Sequence, residues 1–156
     1  MVYHLSKNNR PIKGIIEIGG SKSESNRLLM LRKYLSDFKI TNLSKSDDTK
    51  TLIDALANTN KIIDVNHAGT AMRFLVSYYA SKLNSEITLT GSDRMKNRPI
   101  GILVNALRDL GAEIEYKEKE GYPPLRIIGK NLMGNEVSLP ANISSQFISS
   151  LMMLGV

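Results

Sequence analysis

Gly19-Gly20-Ser21-Lys22-Ser23-Glu24-Ser25-Asn26-Arg27 is the stretch of this chain best equipped to do chemistry. Two glycines let the backbone turn sharply and approach a ligand closely. The serines can cap a helix N-terminus, where unpaired N–H groups and the macrodipole favour an anion. Lys22 and Arg27 add two full positive charges, the second about one helical turn further on. Together these parts describe a site for a phosphate or carboxylate. The G-x-x-x-x-G-K-[ST] spacing of a Walker loop is absent. A capped helix with solvated charges is the competing reading of the same residues.

The phrase recurs. His67-Ala68-Gly69-Thr70-Ala71-Met72-Arg73 is a second small-residue turn that opens a helix. Gly91 to Pro99 is a basic loop carrying Arg94, Lys96 and Arg98, and Ser144-Ser145-Gln146 caps a final apolar run. Asp47 and Asp48 have the look of catalytic carboxylates but read more simply as caps of the second helix. His4 is isolated near the terminus and reads as surface.

The elements that must position these groups follow from periodicity. Gly14 to Ile18 reads as a strand and Ser23 to Leu35 as a helix. Lys39 to Leu43 is strand-like, and a helix continues from the polar cap at Ser44–Thr49 to about Asn58. Lys61 to Val65 is a strand, and the helix after the Gly69 turn runs to about Ser81. Glu86 to Thr90 alternates as a strand. Pro99 suits the first turn of a helix over Ile100–Leu110, which Gly111 ends. Glu113 to Glu118 and Leu125 to Ile128 are strands interrupted by Pro123 and Pro124, and Glu136 to Leu139 is another. The last apolar run, Phe147 to Leu154, is helical. Short strands alternating with helices predict a mixed α/β fold (α+β by some schemes) built from a unit used more than once.

At 156 residues and 42% hydrophobic, the chain can bury a core. It has no cysteine, which excludes a disulfide framework, a thiolate metal site and a cysteine nucleophile. The net charge of +6 favours anionic partners, but the cations recur singly beside helix starts, and aromatic residues are only 6%. That distribution points to small anions rather than nucleic acid. Neither a signal-like apolar core nor a membrane-spanning run is present, so a soluble, cytoplasmic protein is expected. An apolar helix at the very end suggests the N-terminal part of something longer.

Four segments carry a family resemblance. GSKSESNR, HAGTAMRF, RMKNRPIG followed by LVNALRDLGAEIEY, and YPPLRI followed by SSQFISSLMM are, in order and spacing, similar to the EPSP synthase (3-phosphoshikimate 1-carboxyvinyltransferase) family of enolpyruvyl transferases. The resemblance implies repeated βαβαββ units, of which this chain would hold two and the start of a third. It implies a leading segment, residues 1–13, that normally lies beside a second domain. Residues 14–156 would be an incomplete first domain, and the second domain would be absent. It further implies a monomer when complete, small-molecule substrates, no cofactor and no metal. The sister UDP-N-acetylglucosamine enolpyruvyltransferases usually have Asn after the first lysine and a cysteine in a loop covered here. Ser23 and the lack of cysteine favour the shikimate branch. A non-catalytic anion-binding domain is the other alternative.

The resemblance also assigns roles. Lys22 would lie between shikimate 3-phosphate and phosphoenolpyruvate and touch both. Ser23 and Arg27 would hold the shikimate moiety, Arg27 by its carboxylate, which a guanidinium fork suits. Ser144 and Ser145 would bind the shikimate phosphate, and Gln146 would reach both substrates. Gly69 would offer its N–H, and Arg98 its guanidinium, to phosphoenolpyruvate. Thr70 and Arg73 would hold the loop in place. His67 stands where the family usually has Asn, and its contact with ligand is left open. The carboxylates and further cations that complete the chemistry come from the second domain in the family, so this polypeptide alone is expected to be inactive.

Overall fold

A computed structural model describes residues 2–6, 11, 13–36, 38–134, 136–140 and 142–155. Part of the predicted leading segment, residues 1, 7–10 and 12, lies outside the described residues. Helices α1 (Lys22–Tyr34) and α2 (Asp47–Ala57) come first. Strand β1 (Ile62–Asp64), helix α3 (Gly69–Ser81) and strand β2 (Glu86–Thr90) follow. Then come the one-turn helix α4 (Asp93–Lys96), α5 (Gly101–Asp109), and strands β3 (Glu113–Tyr116) and β4 (Leu125–Ile128). The last helix, α6 (Ser145–Met152), runs into a 3-10 turn at Met153–Gly155.

Four strands form one sheet in the order β1-β2-β4-β3. β1 and β2 are parallel, joined by α3, whereas β4 is antiparallel to both β2 and β3. Residues 62–128 therefore make one complete βαβαββ unit. Alternation sorts its faces. Ile63, Ile87, Leu89, Ile114, Leu125 and Ile127 are buried. Arg126 instead bridges Glu86 at 2.7 Å and Glu115 at 3.0 Å across three strands.

α3 is the hub. Ala71, Phe74, Leu75, Val76 and Ala80 are fully buried on nearly all its sides, as expected of a helix apolar all round. It packs against α1, α2, α5, α6 and the sheet. α1 and α2 meet through polar as well as apolar groups. The buried Thr49 hydroxyl donates to Asn26 Oδ1 at 2.8 Å, and Ser25 Oγ accepts from the Ser44 N–H at 2.9 Å. Ser25 and Asn26 of the glycine-serine motif thus turn inward to lock α1 onto α2.

Three expected strands do not form. Gly14–Ile18, Lys39–Leu43 and Glu136–Leu139 take no place in the sheet. Strand formation needs a neighbour for its backbone N–H and C=O groups, which apolar alternation cannot guarantee. Ile15, Ile16 and Ile18 accordingly point outward, Ile15 being 96% exposed. The expected second unit is represented by α1 and α2, without paired strands among the described residues. No helix among these residues is long and apolar enough to cross a membrane.

Candidate anion-binding site

Parallel pairing of β1 and β2 brings the loops after them side by side, the place where open α/β sheets bind ligands. The two loops are stitched together. The Ser92 N–H donates to the Asn66 carbonyl at 3.1 Å, and Ser92 Oγ lies 2.7 Å from His67 Nδ1. Ser92 also caps α4, accepting from the Met95 N–H at 3.4 Å. This capped turn inside what reads as a plain basic loop folds the chain back, so that Arg98 arrives over the start of α3.

α3 begins at Gly69 with no side-chain cap from Ala68, which leaves its first amides to a ligand. A Cβ built on Gly69 would lie 2.6 Å from Arg98 Nη1 and 2.9 Å from Arg73 Nη1. The two guanidinium groups therefore bracket one glycine. Arg98 has no hydrogen-bond or ion-pair partner for its side chain among the described residues. Arg73 has only neutral partners, the Gly69 carbonyl at 2.9 Å and Gln146 Oε1 at 3.0 Å. Its guanidinium is pushed to lower pKa by burial and then by the charge of Arg98, since both disfavour the charged form. Two cations side by side without a carboxylate attract an anion.

α6 closes the group from another side. Ser144 caps it by accepting from the Gln146 N–H at 3.3 Å, and Gln146 Nε2 donates to Thr70 Oγ1 at 3.2 Å. Arg73 lies over the ring of Phe147, 5.5 Å from its centroid, within range of a cation–π attraction. A cavity of about 470 Å³ opens between Arg73, Arg98, Pro99, Tyr122, Ser144 and Phe147.

The structure thus brings Gly69, Thr70, Arg73, Arg98, Ser144 and Gln146 together. The α1 residues join less directly. Ser21 caps that helix by accepting from the Glu24 N–H, leaving Lys22 and Ser23 exposed in the first turn. Lys22 Nζ lies 3.6 Å from Asp48 of α2 rather than against the Gly69 group. Arg27 spans to α6, its Nη2 donating to Ser149 Oγ at 3.2 Å, while Ser149 in turn donates to the Ser145 carbonyl. His67 is exposed and engaged with Ser92. In α2 the cap is Ser46, not an aspartate; Asp47 and Asp48 sit in the first turn, where carboxylates also suit the dipole. Arg94 is exposed, and Lys96 pairs with Glu118 at 2.9 Å.

Ser92, Phe147 and Ser149 escape a reading of the sequence. Only Ser149 left a trace, standing one turn beyond Ser145 on the same helical face. Gly69→Ala tests the bracket. The obstructing atoms are ends of flexible side chains, so folding stability should change by about 1 kcal/mol or less. Inorganic phosphate affinity should fall several-fold, because both guanidinium groups must move aside; calorimetric titration at constant pH reads this, and unchanged affinity would contradict it.

A helix start, two guanidinium groups and an amide at the ends of parallel strands define an α/β protein with a candidate small-anion site. Comparison with known proteins narrows this class. Residues 56–155 match the family model described as EPSP synthase (3-phosphoshikimate 1-carboxyvinyltransferase). A 3-phosphoshikimate 1-carboxyvinyltransferase of Bacteroides fragilis (strain YCH46) is 51% identical over 156 residues, covering 99% of this chain and 38% of its own length. The Haemophilus influenzae (strain PittGG) protein of the same name is 40% identical, with 91% of this chain and 40% of its own covered. The solved EPSP synthase from Acinetobacter baumannii superposes with a TM-score of 0.82 at 22% identity over 95% of this chain and 39% of its own, which speaks for the fold. The chain belongs to the EPSP synthase family. It spans about two fifths of the length of these relatives.

Proposed function

We propose that this chain supplies one wall of the active site of an enzyme that transfers the enolpyruvyl group of phosphoenolpyruvate to the 5-hydroxyl of shikimate 3-phosphate. In this reading residues 14–156 belong to one domain of a two-domain, monomeric, cytoplasmic enzyme acting on small anions. The observation that carries it is the Arg98 guanidinium, unpaired among the described residues, beside Arg73 over Gly69.

The 5-hydroxyl gives up its proton as its oxygen adds to C2 of phosphoenolpyruvate, and C3 gains a proton. The adduct then expels phosphate as C3 loses one. Two polyanions must sit side by side, and each unit-charge pair at ~4 Å repels by about 4 kcal/mol at an effective dielectric of ~20. Several cations are therefore required. Arg98 and Gly69 serve phosphoenolpyruvate, and Lys22 touches both substrates. Ser144, Ser145, Ser23 and Arg27 serve shikimate 3-phosphate, with Gln146 between the two. A fixed fork at Arg98 matches phosphate geometry better than an ammonium does.

The test is a chimera in which this chain replaces its matching segment in the Bacteroides fragilis relative, assayed for phosphate release with both substrates. The chimera should turn over shikimate 3-phosphate and ignore UDP-N-acetylglucosamine, while the 156-residue chain alone should release nothing. A folded chimera with no activity, or a preference for the sugar nucleotide, would overturn the reading.

A further inference from the structure

Gln146 is the only glutamine in the sequence. Its amide could face an anion site in two ways, with N–H groups outward or with the carbonyl outward, and only the first attracts an anion. The neighbours decide between them. A guanidinium donates and never accepts, so Arg73 Nη1, 3.0 Å away, admits only Oε1. The Thr70 hydroxyl on the other side is indifferent, since it donates or accepts as required.

Arg73 itself is held by several contacts. Its Nη1 also donates to the Gly69 carbonyl one turn back, and its guanidinium lies over the ring of Phe147. The Ser150 hydroxyl donates to the Arg73 carbonyl at 2.9 Å and lies 2.6 Å from Ser77 Oγ. Ser77 and Ser150 are both fully buried. A polar seam thus runs between α3 and α6 from Ser77 through Ser150 and Arg73 to Gln146 and Thr70. Arg73 Nε is buried without a partner, and no carboxylate neutralises the side chain among the described residues. Buried cations are costly to keep uncompensated. A residue there solely to join two helices needs no charge.

We propose that Arg73 is a positioning residue that sets the Gln146 amide, occupying its carbonyl so that the N–H not used on Thr70 is the group left to meet the substrates. The proposal rests on the enolpyruvyl-transferase reading for the identity of those substrates, but the amide orientation does not. Through the shared Nη1 the same side chain ties Gly69, on the phosphoenolpyruvate side, to α6, on the shikimate 3-phosphate side. Displacing it loosens both.

Because Gln146 is unique, labelling glutamine side chains with nitrogen-15 gives the 156-residue chain a single NH2 signal pair. In the wild-type chain these signals should sit away from free-glutamine positions and exchange slowly with water. Arg73→Met should collapse them towards free glutamine, and Arg73→Lys, which keeps one donor and the charge, should restore part of the offset. Backbone amide spectra verify that each variant is folded. Signals unchanged in a folded Arg73→Met variant would overturn the proposal, and so would wild-type signals already at free-glutamine positions.

A titration with shikimate 3-phosphate, and separately with inorganic phosphate, then separates the two ideas. Shikimate 3-phosphate should shift the wild-type pair. The affinity of Arg73→Met should be weaker on the order of tenfold, as for the loss of an oriented hydrogen bond to an ion. Equal affinity in the two proteins would overturn the positioning role. A restrained amide that moves with neither ligand would overturn the substrate assignment while the orienting contact stands.

Discussion

Arg98→Ala should lower kcat/KM for phosphoenolpyruvate in the chimeric enzyme by a factor between about 30 and several thousand. That range is the conversion of about 2–5 kcal/mol for removing one member of a desolvated charge pair. Its size follows from what surrounds Arg98. Nothing among the described residues competes for this guanidinium, so its full hydrogen-bonding capacity is available to a phosphate. The remaining cation of the bracket, Arg73, already divides its Nη1 between Gly69 and Gln146 and cannot take over. Arg98→Lys should recover only part of the loss, because an ammonium keeps the charge without the two-pronged geometry. Steady-state kinetics with each substrate varied in turn will show the loss chiefly against phosphoenolpyruvate. An Arg98→Ala enzyme within threefold of the parent would remove this residue from the site.

Phe74→Ala should cost about 3–5 kcal/mol of folding free energy, a large share of what a domain of this size has. Phe74 is fully buried in α3, the helix that packs against α1, α2, α5, α6 and the sheet. Close-packed surroundings refill such a void only partly, which adds a cavity term to the lost transfer energy. The ring also supports Arg27, whose guanidinium carbon is 5.7 Å from its centroid, again a cation–π distance. Urea denaturation of the 156-residue chain, with the slope of the transition unchanged, measures the loss. A loss below about 1 kcal/mol, the size of an ordinary substitution, would show that α3 is not the organising core.

How far each feature could be read ahead depends on the range of the interactions that make it. Helices announced themselves through local signals: Ser21, Ser46 and Ser144 each cap the helix that follows, and Gly111, at φ +94°, ends α5. Such signals lie within a few residues of the groups they satisfy. Strands over 62–64, 86–90, 113–116 and 125–128 were legible as short apolar or alternating runs. Gly14–Ile18 has an equally apolar look yet remains unpaired, because pairing is a property of two segments and periodicity belongs to one. The site divides in the same way. Cations beside small-residue helix starts mark it in one dimension, and the family resemblance sharpens their roles. That Lys22 pairs with Asp48, or that Arg27 finds Ser149 across 122 residues, joins segments that no local signal pairs.

By itself, then, the sequence determined the kinds of group on offer and the helices that carry them, since each of these is encoded within one or two turns of chain. Tertiary structure alone decided which of those groups meet. Parallel pairing of β1 with β2 and the stitch from Ser92 to Asn66 lay Arg98 over Gly69, and the packing of α6 on α3 delivers Gln146 to Arg73. The physical reason is that the like charges of Arg73 and Arg98 repel, and only a fold stabilised elsewhere, in the core around α3, can hold them side by side.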